Sequence, residues 1–284
     1  MSDLLGTQQA RGACGPNGAC GRFEDSGCYG ASGQLSGGNG VDRSGVDTSS
    51  VLLERTVPGL HDFLAERVIA RHATPGAKAC ELGAGSGAFS RRLTVAGFDV
   101  TACDVTVPDN PPVPFVRADL DTGLLPHAFE PEHFDLVIAI EVIEHLEAPV
   151  AFLRTVASLL APGGTAIITT PHLDSLPARI RFALKGTLRM FDRWGDPTHI
   201  SPIFRSLLVD RYLPRAGLVP IEIVTFPESG FVAGRSAYRK VLRPLSRLLA
   251  KRQLAGDCLV VAVRRDIRST ENSALSAATG APQR

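Results

Sequence analysis

The stretch Cys80-Glu81-Leu82-Gly83-Ala84-Gly85-Ser86-Gly87 reads as a strand ending in an acid, then glycines, then the start of a helix. Glycines there let a ligand approach the backbone closely. Gly83, Gly85 and Ala88 satisfy G-x-G-x-x-A, the fingerprint of a dinucleotide site. Asp104 closes the next predicted strand, where an acid can accept both hydroxyls of a ribose. Arg117-Ala118-Asp119-Leu120 follows the third strand and sets Asp119 to meet an exocyclic amine such as that of adenine. Either aspartate alone would equally well be a turn residue or a helix cap. Their order along the chain points to a nucleoside.

These residues need a scaffold, and the hydrophobic pattern supplies one. Strands are predicted over 78–82, 99–103, 114–117, 135–140, 165–170, 219–225 and 258–264. Helices are predicted over 58–71, 88–96, 149–160 and 202–216. Asp135 to Ile140 is an apolar run of the kind covered on both faces. Strand and helix in alternation predict an α/β fold with a parallel sheet and helices on both faces. Every candidate acid then lies at or just beyond a strand's carboxyl end, where such sheets bind ligands.

Five motifs, in order, resemble those of class I S-adenosylmethionine-dependent methyltransferases. They are Glu81 to Gly87, Asp104, Ala118-Asp119, the FDLVIAIEVIEHL run from Phe134 to Leu146, and Leu160-Ala161-Pro162-Gly163-Gly164. The resemblance covers about residues 60 to 265. It implies a Rossmann-like sheet of seven strands, mostly parallel, with an antiparallel last strand. It also implies that Gly83, Gly85 and Gly87 pass the methionine end of the cofactor while Glu81 orders its amino group. Asp104 would hold the ribose, Asp119 the adenine, and Ile140 would line the site. A cationic sulfonium suits acids at strand ends better than a pyrophosphate would. A nicotinamide-dependent oxidoreductase is therefore the second reading, and a non-catalytic cofactor-binding domain the third.

Within that family, Glu141-Val142-Ile143-Glu144-His145-Leu146 resembles the subgroup of the ubiquinone biosynthesis O-methyltransferase. Thr170-Pro171-His172 and Asp196-Pro197-Thr198-His199-Ile200 fit that subgroup too. Some relatives bind a divalent metal such as Mg²⁺ through this set and a later histidine. Glu141, Glu144 and His145 fall within one helical turn and are the candidate ligands. The alternative is that Glu144 and His145 only orient the next helix. Methyl transfer to oxygen needs a base or a metal to activate the acceptor. His199, then His145 and His172, are the candidate bases.

Composition bounds the rest. A chain 44% hydrophobic and 21% charged is ordinary and globular, and a net charge of +1 gives no global field for nucleic acid. No apolar stretch reaches a membrane span or a secretory signal, so a cytoplasmic protein is expected. Cys14, Cys20 and Cys28 lack metal-ligand spacing. Residues 1–50 and 267–284 are biased towards small and polar types and are expected to be disordered, flanking a methyltransferase domain over 51–266. A chain starting at Val51 is expected to keep its melting temperature and cofactor affinity, and a drop in either by scanning calorimetry or titration would show that the segment packs on the domain. Two inserts, 173–197 and 230–254, are expected to form an acceptor-side lid. Their basic amphipathic cores, 176–194 and 234–252, suit an anionic acceptor, peripheral contact with an anionic membrane to fetch a lipid-like acceptor, or no more than a solvated basic face. The acceptor itself is expected to be a small molecule, glycosyl or lipid-like.

Overall fold

A strand apolar at nearly every position must be covered on both faces. The computed structural model describes residues 52, 54, 56–122, 129, 131, 133–193, 195–232 and 253–266. In it this run becomes β4 (Phe134–Ala139), with all but Asp135 buried. It lies between β1 (Lys78–Leu82) and β5 (Leu160–Pro171), parallel to both. With β2 (Asp99–Asp104), β3 (Phe115–Arg117), β6 (Leu218–Phe226) and β7 (Cys258–Arg265), the sheet order is β3-β2-β1-β4-β5-β7-β6. β7 runs antiparallel to both its neighbours, and the other pairings among β1 to β5 are parallel. This is the Rossmann-like α/β class expected, with the antiparallel last strand.

Because successive strand residues point to opposite faces, the sheet has two cores. Leu82, Val137, Ala139 and Ile168 pack with Phe152 and Val156 of α3 (Pro149–Leu159) and Leu208 and Leu213 of α5 (residues 205–215). On the other face Ala79, Leu136, Ile138 and Ile167 meet Leu60, Leu64 and Val68 of α1 (residues 60–72) and Phe89 and Leu93 of α2 (Ala88–Val95). α4 (Leu176–Lys185) starts on Ser175, whose hydroxyl accepts the Ala178 N–H.

The boundaries moved where local chemistry outweighs apolar period. β5 begins at Leu160, not 165, because Leu160 pairs with Phe134 before a register shift. α5 begins at Arg205, not 202, because the Asp174 carboxylate accepts the Arg205 N–H at 2.8 Å and so ends the extended approach. The expectations for residues 1–50, 234–252 and 267–284 lie outside the described residues. Among the described residues, no helix is long and apolar enough to cross a membrane.

Candidate functional site

The sheet order reverses between β1 and β4, and there the carboxyl ends of neighbouring strands open a crevice. The glycine loop leaves β1 at this point. It is pinned to β2, since the Gly83 and Ala84 N–H groups donate to the Cys103 carbonyl at 2.9 and 3.0 Å. Gly83 has φ +71°, and a Cβ there would come within 2.5 Å of Val142 Cγ2, so a side chain is excluded twice over. Gly85, at φ +53°, is different: a Cβ would meet nothing within 4 Å. Its backbone therefore faces open space, as a ligand-approach position should. Gly87 precedes α2 at φ +77°.

Asp104 ends β2 and is fixed from two sides. One oxygen accepts the Gly85 N–H at 2.9 Å, the other the Thr106 N–H at 3.2 Å. Each oxygen keeps a second lone pair for a further donor. Asp119 follows β3 and accepts the Asp121 N–H at 3.0 Å, an Asx turn that orients its carboxylate. Ile140 is buried just past β4. Glu81 is buried at the end of β1, where the Ser90 hydroxyl donates to it. Burial pushes the Glu81 carboxyl up to about 7, against hydrogen bonds from Ser90 that pull it down. Ser90 was not foreseen, although a serine three residues before the core residue Leu93 on a helix face is a legible signal.

Beyond β4 the acid–histidine set separates into two groups. Glu141 adopts φ +53°, a left-handed conformation costly for a residue with a Cβ. Its N–H donates to Thr169 Oγ1 at 3.0 Å, and that hydroxyl donates back to Glu141 Oε1 at 3.1 Å. Burial pushes the Glu141 carboxyl up to about 7 as well. Glu144 and His145 lie on a short 3₁₀ turn, Ile143–His145. They are joined by His199, and ligand atoms of the three lie within 4.8 Å of one another. Glu141 is not in that group, so the later histidine takes the place expected of it.

The trio is held from outside. The Ile200 and Ser201 N–H groups donate to the Glu144 carbonyl at 3.0 and 2.8 Å, drawing His199 to the turn. His199 Nδ1 is 2.9 Å from the Met190 carbonyl, so it carries the proton and leaves Nε2 as a lone pair. Thr198 Oγ1 donates to Asp196 at 2.5 Å and lies 2.9 Å from His145 Nδ1, which makes His145 a donor there and frees its Nε2. The two rings meet edge to face with centroids 4.6 Å apart. Burial, and then the neighbouring His145, hold His199 below the ordinary histidine range. Glu144 is fully buried, and neither carboxylate oxygen has a partner in good hydrogen-bond geometry, although Thr170 makes a looser contact. Burial, reinforced by Glu141, keeps it well above the usual carboxylate range, against the downward pull of that Thr170 contact. An unsatisfied buried carboxyl beside two imidazole lone pairs fits either a shared proton or a divalent cation.

His172 stands apart from this trio. It is buried after β5 with Nδ1 3.0 Å from the Ala255 carbonyl, and burial lowers its pKa. Also unforeseen was Asp257. Its carboxylate takes Arg189 at 2.6 Å and the Val232 N–H at 2.6 Å, joining the segments after α4 and β6 to the start of β7. No local pattern marks a pair 68 residues apart.

Comparison with known proteins agrees with this fold. A family model for a methyltransferase domain matches residues 54–223. A ubiquinone biosynthesis O-methyltransferase of Xanthomonas campestris is 32% identical over 142 residues, 47% of this chain and 58% of that one. One from a Caulobacter species is 35% identical over 124 residues, 38% of this chain and 49% of that one. The chain thus spans about half the length of the curated relatives it matches. A solved S-adenosylmethionine-dependent methyltransferase from Archaeoglobus fulgidus superposes with a TM-score of 0.52 at 16% identity, covering 72% of this chain and 93% of that one, which shows the shared fold. These matches give the oxidoreductase reading no support.

Proposed function

The chain belongs to the methyltransferase-domain family, and from that premise we propose that it moves a methyl group from S-adenosylmethionine to an oxygen of a small-molecule, glycosyl or lipid-like acceptor. The observation that carries this is Asp104, held by the Gly85 N–H beside an open glycine loop at the point where the sheet order reverses. Asp104 takes the ribose hydroxyls, Asp119 the adenine amine, and Glu81 orders the methionine ammonium. Bound there, S-adenosylmethionine supplies a methyl group made electrophilic by its sulfonium. The protein's part is mainly to align the acceptor with that methyl. With no metal on the trio, His199 Nε2, a lone pair on an imidazole whose pKa burial lowers, accepts the acceptor's proton. Calorimetry tests the reading: S-adenosylmethionine and its demethylated product bind, whereas NAD does not. Tight NAD binding alone would overturn it.

Glu144, His145 and His199 are the residues that would hold a divalent metal, supported by their 4.8 Å grouping and the unsatisfied Glu144 carboxyl. A metal there would lower the pKa of an acceptor hydroxyl. Glu141, tied to Thr169, lies outside that group.

Cofactor binding should depend on pH through Glu81. Its carboxyl sits at about 7 in the fold against an ordinary 4.5, so the folded state holds a proton that the unfolded chain has released. That contribution to stability is present below pH 4.5 and falls as pH rises towards 7. A cation bound beside Glu81 favours the carboxylate. Cofactor binding should then release a proton and tighten as pH climbs through about 7. Titrations in buffers of different ionisation enthalpy read this directly. Glu81→Gln should abolish the proton release, and an unchanged release in that variant would reassign it.

The basic cores of the inserts suggest peripheral contact with anionic membranes. Reversing Arg239, Lys240, Arg243 and Arg247 to Glu should release the protein from anionic vesicles and leave cofactor affinity intact. If the unaltered chain never sediments with such vesicles, even at low salt, the membrane contact is lost.

A further inference from the structure

Two arginines converge on a cavity beside the carboxyl end of β5, apart from the glycine loop. Its lining is Asp174, Arg179, Arg205, Ser206, Gln253 and Leu254. The Leu176 N–H donates to the Leu254 carbonyl at 2.9 Å, closing one end where α4 meets the segment before β7. Asp174 organises the opening. Its carbonyl accepts Arg179 Nε at 2.8 Å, and its carboxylate takes the Arg205 N–H at 2.8 Å and the Arg179 guanidinium at 3.5 Å.

Arg205 is the unusual member. Its Nε is buried and has no hydrogen-bond partner. No carboxylate pairs with its side chain among the described residues. A buried guanidinium N–H left unsatisfied is costly and calls for an acceptor. The lining adds a hydroxyl on Ser206 and the side chain of Gln253, whose amide N–H donates to the Ile223 carbonyl at 3.5 Å and leaves its oxygen as an acceptor, the residue being held at φ +52°. Side chains seldom take that conformation, and such residues cluster at ligand sites. Two guanidinium groups against one carboxylate leave a positive balance with planar donors suited to a phosphate or carboxylate.

The same chain segment links this cavity to the acid–histidine trio. Ser201 is fixed to the Glu144 carbonyl, and four residues on lies Arg205. At about 3.4 Å per residue, those positions are separated by no more than roughly 14 Å. We propose that this cavity is a subsite for a phosphate or carboxylate group, and that the methyl acceptor carries that anion. The second half rests on the methyl-transfer reading. The first half stands without it.

The test is calorimetric titration of the full chain with inorganic phosphate, phenyl phosphate and benzoate, with benzamide as the uncharged control. Phosphate and at least one aromatic anion should bind, and benzamide should not. Arg205→Gln should weaken the anions at least tenfold, Arg205→Lys less, and both should leave affinity for the demethylated cofactor within twofold. Arg179→Gln is a second variant, exposed enough to spare the fold, with a smaller expected loss. Anion affinity equal in the unaltered chain and in both glutamine variants would overturn the subsite. Vesicles of phosphatidic acid in phosphatidylcholine identify the source: binding displaced by free phosphate and lost in Arg205→Gln assigns a lipid headgroup, and no vesicle binding assigns a soluble ligand. Vesicle binding indifferent to Arg205→Gln, with no binding of the soluble anions, would also overturn it. Cofactor titration on the same samples separates this failure from failure of the methyl-transfer reading.

Discussion

Asp104→Ala is expected to weaken binding of S-adenosylmethionine and of its demethylated product by about ten- to a hundredfold. Hydrogen bonds to a charged acceptor contribute about 1.5–3 kcal/mol, and 1.4 kcal/mol is about a factor of ten. Two effects are mixed in that variant. The carboxylate would lose the ribose hydroxyls, and it also holds the Gly85 and Thr106 N–H groups. Asp104→Asn separates them: one amide oxygen can still accept a loop N–H, but the charge is gone and a donor replaces an acceptor. An intermediate loss in the asparagine variant assigns part of the effect to loop order, and a loss equal to alanine's assigns it to the carboxylate. Melting temperature should change little in either, because Asp104 lies at the carboxyl end of β2 and outside both apolar cores. Unchanged cofactor affinity in Asp104→Ala would sink the ribose assignment and with it the main support for the site.

What the sequence disclosed follows from how far each signal reaches along the chain. β4 was legible because its apolar run is local and continuous, and the glycine loop because its residue types have few other uses. The order of Glu81, Asp104 and Asp119 carried the cofactor reading, since parallel strands deliver their carboxyl ends to one edge. Pairings across the chain were not legible. Nothing near Asp174 announces that it caps a helix 31 residues later, and this moved the start of α5. Likewise Glu141, Glu144 and His145 share one short string, but the strand end at Glu141 turns left-handed and ties that side chain to Thr169. An α-helical spacing rule fails there because only a short 3₁₀ turn, Ile143–His145, forms after Glu141. The partner that completes the group, His199, arrives through backbone bonds to the Glu144 carbonyl that no sequence period encodes.

If Glu144, His145 and His199 hold a divalent cation, chelator should lower turnover on an identified acceptor about a hundredfold or more, with Mg²⁺ or Mn²⁺ restoring it. Lewis-acid stabilisation contributes several kcal/mol, and each 1.36 kcal/mol is about tenfold in rate. Cofactor affinity should survive chelation, because Glu81, Asp104 and Asp119 lie on other strands. A readout independent of turnover comes from Mn²⁺ added to the protein alone, followed by electron paramagnetic resonance of the free ion. Glu144→Gln removes the one anionic ligand and should weaken Mn²⁺ at least tenfold. Binding must also expel the proton that burial keeps on Glu144, so Mn²⁺ affinity should rise with pH. If turnover ignores chelator and Mn²⁺ does not bind, the trio acts as a proton acceptor instead. His199→Ala should then lower the rate about 10²- to 10⁴-fold, the scale of a general base, while His172→Ala leaves proton transfer untouched. Loss of the base should also remove the rise in rate with pH that deprotonation of His199 produces, whereas loss of a metal ligand should not. The two variants and the chelator therefore decide whether the unsatisfied carboxyl of Glu144 marks a cation or a shared proton.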